Sequence, residues 1–220
     1  MIVLSLGRWP CEASDAELTG IDAFELRLDL MGASLANLAQ IMDGARRRVP
    51  RVIATCRPGH AREEDRVALV CEAARLGAWA VDVEIDAPAA SRADVARAAR
   101  SHGCKVIISY HDHERTPARD TLQRVVRRAF AAGADFVKIA CRVVTLADNA
   151  TLLGLLDDGT TAGRIAVVGM GRLGWLTRAA APALGSPLAY ASLGPGLETA
   201  DGQPTREALL RAWSALEEPP

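Results

Sequence analysis

The chain has 220 residues, enough for a sizeable core in one large or two small domains. Its formal net charge is −1, with 26 Lys+Arg against 27 Asp+Glu, which excludes a global basic field of the kind that binds nucleic acid. Half of the residues are hydrophobic but only 4% are aromatic, so the core must be built from Ala, Val, Leu and Ile. The five cysteines, at 11, 56, 71, 104 and 141, show no C-x-x-C spacing and read as free thiols in a reducing compartment. No apolar run approaches the roughly 18 residues needed to span a bilayer, and "MIVLSLGRWP" has no basic leader. These features predict a soluble, cytoplasmic protein without membrane association.

Taken in chain order, strand-length apolar runs fall near Ile2–Leu6, Phe24–Leu30, Val52–Cys56, Val81–Ile85, Val106–Tyr110, Phe136–Cys141, Ile165–Gly169 and Leu188–Leu193. Helical stretches lie between and after them at Ser34–Arg48, Asp65–Leu76, Ser91–Ser101, Thr121–Ala132, Thr145–Leu156, Trp175–Ala180 and Thr205–Leu216. Gly77, Gly103 and Gly133 each follow a helical run, where a left-handed C-terminal cap is expected. The connection around Cys11–Ile21 is the least regular. Strands alternating with helices imply an α/β fold with a parallel sheet. Eight such units suffice to close a (β/α)8 TIM barrel, and an open doubly wound sheet is the other way to use them. No Pro/Gly/Ser-rich linker divides the chain, so residues 1–220 are expected to form a single domain.

The chain contains only two lysines, Lys105 and Lys138. Lys138 lies between Val137 and Ile139 in the short apolar strand "ADFVKIA", where either it snorkels to water or it serves as a nucleophile. An amine can lose its proton and attack a carbonyl, which an arginine cannot do, and apolar surroundings would favour the neutral form. His111 ends the preceding strand in "ISYHDH", where a proton shuttle would stand beside that amine. Glu25, Arg27 and Asp29 point to one face of the second strand, as do Asp82, Glu84 and Asp86 of the fourth. The second-strand set is either a site or a structural ion-pair ladder within the barrel, and the fourth-strand set is either interior or solvated. Arg57 ends the third strand, Arg178 follows the seventh, and a glycine-containing loop follows the eighth.

The motifs "ELRLD", "ATCR", "ISYHD", "ADFVKIA", "VVGMG" with its following "TR", and "YASL" with "TADGQ" resemble type I 3-dehydroquinate dehydratases, in order from about Ile2 to Gln203. The resemblance implies a single-domain (β/α)8 barrel of the shikimate pathway, needing neither metal nor organic cofactor. Lys138 would form a Schiff base with the C3 ketone of 3-dehydroquinate. His111 would take the C2 proton and protonate the departing C1 hydroxyl in a syn elimination. Glu25 and Arg57 match residues that bind ring hydroxyls, and Arg27 matches an arginine beside the lysine. Arg178 matches the arginine that grips the substrate carboxylate, and Thr199 and Gln203 match residues of the closing loop. The partner implied is a small molecule, and a homodimer is the assembly the family often adopts.

The chain departs from that pattern in three places. Where the family commonly has a glutamate after the third-strand arginine, this chain has Ala61; of the nearby acids Glu63 and Glu64, Glu63 is taken to orient the histidine. His113 replaces a phenylalanine, and Asp201 replaces a proline in the loop. Three rival readings remain. "GADFVK" also resembles the lysine strand of deoxyribose-phosphate aldolases, although a second lysine on the next strand is absent. "GMGRLG", Gly169 to Gly174, has dinucleotide-site spacing but no acidic residue ends the next strand, and glycines giving the backbone room near substrate explain it better. A family member that has lost catalysis and only binds a metabolite is the third.

Overall fold

The computed structural model describes residues 1–9, 14–59, 61–157 and 159–217. Eight parallel strands occur, each followed by a helix: β1 Ile2–Leu6, β2 Ala23–Arg27, β3 Arg51–Thr55, β4 Ala80–Glu84, β5 Lys105–Asp112, β6 Phe136–Arg142, β7 Ile165–Met170 and β8 Ala189–Ala191. The helices are α1 Asp15–Leu18, α2 Leu38–Arg46, α3 Glu63–Arg75, α4 Ala89–Ser101, α5 Arg119–Ala131, α6 Leu146–Leu153, α7 Trp175–Ala180 and α8 Arg206–Glu217. The sheet runs β7-β6-β5-β4-β3-β2-β1-β8, a nearly closed (β/α)8 barrel rather than an open doubly wound sheet. Every expected strand is present within a few residues. The irregular first connection contains only the four-residue α1, and Cys11 lies outside the described residues. No helix among the described residues is long and apolar enough to cross a membrane.

Three helices end in the same way, for the expected reason. After α3, the Ala78 N–H reaches the Ala73 carbonyl and the Gly77 N–H reaches Ala74; Cys104 and Gly103 repeat this after α4, and Ala134 and Gly133 after α5. The glycines take φ of 85°, 67° and 90°, a left-handed conformation that other residues adopt only at a cost. Each chain reversal delivers a small buried residue, Ala78, Cys104 or Ala134, directly into the next strand.

Strand parity then divides the core in two. Phe24 and Leu26 of β2 point outward into a large apolar shell shared with the helices, while Ala23 and Glu25 point into the barrel. The barrel floor is apolar: Val3, Ala23, Ile53, Ala80, Ile107, Ala166 and Leu188 pack against one another. The same inward parity, continued toward the C-terminal ends, reaches Ser5, Glu25, Thr55, Asp82, Ser109 and Lys138, all buried. Apolar residues fill the floor, and polar ones occupy the layer above it.

The glycines of "GMGRLG" do a different job from the one expected. A Cβ on Gly174 would lie 2.3 Å from the carbonyl carbon of Gly169, and one on Gly169 would lie 2.7 Å from the Gly174 Cα. The turn after β7 folds its own backbone onto the strand, and that close approach, not room for substrate, requires glycine. It also starts α7 early enough to bring Arg178 back over β7. Gly174→Ala should therefore lower the unfolding free energy by about 1–3 kcal/mol through overpacking against backbone. An unchanged urea midpoint would show that the turn can relax.

Candidate active site

A pocket of about 680 Å³ opens at the C-terminal end of the barrel, where such folds place their chemistry. It is lined by Lys138, His111, Glu25, Arg27, Arg57, Arg178, Thr199 and Gln203, so the sequence-predicted residues converge on one cavity. Glu63 also lines it, from the start of α3. The walls differ in character. β1 to β6 contribute charged and hydroxyl groups, whereas Ala140, Val168, Met170 and Tyr190 form an apolar face on β6 to β8.

Lys138 is 5% exposed. Its surroundings are ionic rather than the apolar ones expected from the strand: Nζ lies 3.1 Å from Glu25 Oε1 and 3.6 Å from Asp82 Oδ2, and 3.9 Å from the centre of the Tyr190 ring. A buried ammonium is tolerable only with such partners. Glu25 also accepts from the Ser5 hydroxyl and, at 3.1 Å, from Thr55 Oγ1. Burial pushes the Glu25 carboxyl up, but Lys138, Arg57, the Ser5 hydrogen bond and Arg27 outweigh it and hold it down at about 2. Lys105, by contrast, sits at the opposite end of the barrel, half exposed and paired with Asp135 at 3.3 Å.

Arg57 connects the lysine's carboxylates to the histidine. Its Nη2 donates to Asp82 Oδ2 at 2.9 Å, while Nη1 serves Asp82 Oδ1, Ser109 Oγ at 2.8 Å and Glu84. Although burial disfavours its charge, Asp82, Glu84 and Glu25 raise its pKa above the ordinary arginine value. Ser109 closes the network with a 2.6 Å bond to Asp82.

The acid against His111 is Glu84. His111 Nδ1 lies 3.0 Å and 3.1 Å from the two Glu84 carboxylate oxygens. Glu63 instead pairs with Arg66 one turn along α3, and Glu64 is exposed. The strand register explains the difference: Glu84 lies beside Ser109 across the β4–β5 ladder, directly below His111, whereas Glu63 is held back by its own helix. A carboxylate can only accept, so Nδ1 carries the proton and Nε2 is left with its lone pair. Burial, Arg57 and Lys138 lower the His111 pKa, with Glu84 acting in the opposite direction. His113 stacks on His111 with ring centres 6.0 Å apart and stays exposed, so it is His111 that is built into the network.

The remaining residues frame the substrate space. Arg27 is held by Asp29 at 2.6 Å and donates to the Thr199 carbonyl at 3.0 Å. Thr199 Oγ1 donates to Ser5 Oγ at 2.7 Å, and its N–H donates to Gln203 Oε1 at 2.7 Å, which binds the β8–α8 loop to the pocket wall. Arg178, 5% exposed, donates from Nε to the Gly169 carbonyl at 2.8 Å and from Nη1 to the Tyr190 carbonyl at 3.4 Å. Its Nη2 is buried without a partner among the described residues, and burial pulls its pKa down to about 10 despite Asp201. An arginine still charged at neutral pH that lines a cavity and keeps one donor unpaired among the described residues is suited to an anion.

A profile of the type I 3-dehydroquinase family matches residues 10–219. The chain belongs to this family. It is therefore an enzyme of the hydro-lyase class. It is 36% identical over 195 residues to a 3-dehydroquinate dehydratase of Methanosarcina barkeri, covering 84% of this chain and 81% of the relative. A 3-dehydroquinate dehydratase of Dehalococcoides mccartyi is 30% identical over 215 residues, covering 95% and 92%. Among solved structures, the type I enzyme of Clostridium difficile with covalently modified comenic acid superposes with a TM-score of 0.84 at 21% identity, covering 98% of this chain and 91% of that one. The 3-dehydroquinate dehydratase of Aquifex aeolicus gives 0.83 at 25% identity, covering 98% of both.

Sequence reasoning placed Asp82 and Glu84 on a common face but assigned neither a role; it also left out Ser5, Thr55, Ser109 and Tyr190. Inward parity was the signal available for all of them. Because the Glu84 carboxylate supports the imidazolium, Glu84→Gln should lower the His111 pKa further and narrow the protonated range at the acid side. An NMR titration of the His111 ring protons measures this, and an unmoved titration would mean that the two groups are not coupled.

Proposed function

We propose that this chain dehydrates 3-dehydroquinate to 3-dehydroshikimate through a Schiff base on Lys138, with His111 as general base and then general acid. The observation that carries the reading is a buried primary amine and a carboxylate-oriented imidazole on adjacent strands of one cavity. His111 stands beside Ala140, two residues beyond Lys138 on β6, so both face the same substrate space.

Deprotonated Lys138 attacks the C3 ketone, and loss of water from the carbinolamine gives an iminium. Glu25 and Asp82, which now flank the ammonium, would flank this cation equally, so the buried charge stays paired through the step. The iminium withdraws electrons from C2, and the free Nε2 lone pair of His111 takes the C2 proton. Collapse of the enamine expels the C1 hydroxyl as water, with His111 returning the proton on the same face. Hydrolysis of the iminium releases the product and restores the amine. Lysine itself supplies the electron sink, so the reading requires neither metal nor organic cofactor.

The partnerless Nη2 of Arg178 is assigned to the substrate carboxylate, and Thr199 and Gln203 to closing the loop over the ring. Glu25 and Arg57 are read as acting through the network as well as on ring hydroxyls, since most of their hydrogen-bonding capacity is already engaged. We read residues 1–220 as one catalytic barrel, working in the cytoplasm in the shikimate pathway, with a homodimer as a compatible assembly.

Incubation with 3-dehydroquinate followed by borohydride reduction and peptide mapping tests the proposal. The expected result is a reduced adduct on Lys138, absent together with turnover in Lys138→Ala. Recovery of unmodified Lys138 from a folded, substrate-saturated protein would remove the Schiff-base mechanism. Arg178→Ala should raise KM by about 10- to 100-fold, the scale of charge-assisted hydrogen bonds, with a smaller effect on kcat. An unchanged KM would mean that the carboxylate binds elsewhere.

A further inference from the structure

The barrel is not closed by a ladder. Among the described residues the sheet order ends at β7 on one side and β8 on the other. In a parallel strand, alternate residues turn both backbone groups to the same side. The Arg164 and Met170 carbonyls accept from Val137 and Val143 on the β6 side, so Val167 and Gly169 face the seam. Ala189 donates to Met1 on the β1 side, so Tyr190 faces the seam from β8. Side chains and loop backbone bridge this gap instead. Arg178 bonds the Gly169 and Tyr190 carbonyls across it.

Above Arg178 the β8–α8 loop crosses the same gap. The Gly171 N–H donates to the Asp201 carbonyl at 3.1 Å. Gly202 approaches so closely that a Cβ there would lie 2.4 Å from the Gly171 oxygen. The Asp201 carboxylate takes a 2.8 Å bond from Arg142, the last residue of β6. On the other side of the pocket the loop is fixed through Thr199 to Ser5 and Arg27 on β1 and β2. Asp201 and Gly202 are thus its described attachments to β6 and β7.

We propose that Arg142 and Asp201 form an ionic latch across the β7–β8 seam, making Asp201 a positioning residue that holds Thr199 and Gln203 over the pocket. Closure of the loop and closure of the barrel wall are then one event. An opened loop would uncover both the substrate and the seam-facing edge of β7. The pair is half exposed at both ends, so its strength is that of a surface ion pair, and it weakens as salt screens it. A proline at 201 would stiffen the turn by backbone constraint alone; an aspartate makes closure depend on a charge borne by the lysine-bearing strand.

Asp201 also lies close enough to Arg178 for its charge to act on that guanidinium, which defines a competing role with the opposite sign. An aspartate that merely repelled an incoming carboxylate would, when neutralised, tighten binding. The proposal rests on the dehydratase reading only for its kinetic arm. Hydrogen exchange of the Gly171 amide and of loop amides 197–203, in protein without substrate, tests the latch directly. Asp201→Asn and Arg142→Gln should each speed this exchange by about two- to fivefold, the range of an exposed ion pair, and raise KM for 3-dehydroquinate by a similar factor with kcat nearly unchanged. Arg142→Asp combined with Asp201→Arg should restore both, and about 0.5 M salt should erase the difference between parent and variants. Unchanged exchange in Asp201→Asn, or a fall in its KM, overturns the latch. A parent chain that does not turn over 3-dehydroquinate removes the dehydratase reading, while the exchange arm still decides the latch.

Discussion

A lysine buried inside a barrel of small aliphatic residues obliges the neighbouring strands to supply compensating charge, and most of the pocket follows from that obligation. Lys138 takes Glu25 from β2 and Asp82 from β4; Asp82 shares Arg57 with Glu84; Glu84 holds His111. The chain of contacts runs across the inside of the barrel and returns to the strand beside the lysine. No single pair in it would stabilise the fold, since desolvating each ion costs about what its partner returns. Its value lies in fixing positions: Lys138, Asp82, Arg57 and Glu84 each meet two charged partners, so the amine and the carboxylate that holds the imidazole are oriented before any substrate arrives.

The same layout explains why the pocket is two-faced. The strands that carry the network present acids, hydroxyls and cations, while Ala140, Val168, Met170 and Tyr190 leave an apolar wall opposite. In the proposed reading, a hydroxylated ring with a carboxylate would lay its carbon face on the apolar wall and its oxygens toward the network. Arg178, with one donor unpaired among the described residues, stands at the seam between β7 and β8, within the apolar wall. Because it bonds carbonyls of both β7 and β8, the group assigned to the substrate's charge is also part of the barrel's closure, and binding there is mechanically linked to the integrity of the wall.

Much of this was legible in the amino-acid sequence because it depends on local rules. Alternation within a strand put Glu25 and Arg27 on one face whatever they packed against, whereas Asp29, read as part of the same strand, lies in the turn after β2. Glycine after an alanine-rich helix marked three of the reversals that set strand spacing. The rarity of lysine singled out Lys138, and its neighbours in the chain singled out His111. Each inference needs only the backbone's periodicity or the chemistry of one side chain.

The choice between Glu63 and Glu84 needed more. Sequence proximity to Arg57 favoured Glu63, but the acid that reaches His111 is set by the register of β4 against β5, a property of two strands separated by a helix. The ionic character of the lysine's surroundings is equally invisible along "FVKIA", since its carboxylates come from β2 and β4. So too the seam: that Gly169 and Gly174 touch, that Arg178 bridges two strands, and that Asp201 meets Arg142 are consequences of how a sheet closes on itself. The sequence by itself determined which groups would face inward and which chemistry they could perform. Only the tertiary structure decided which of them meet, because register and closure are set by packing across the whole barrel.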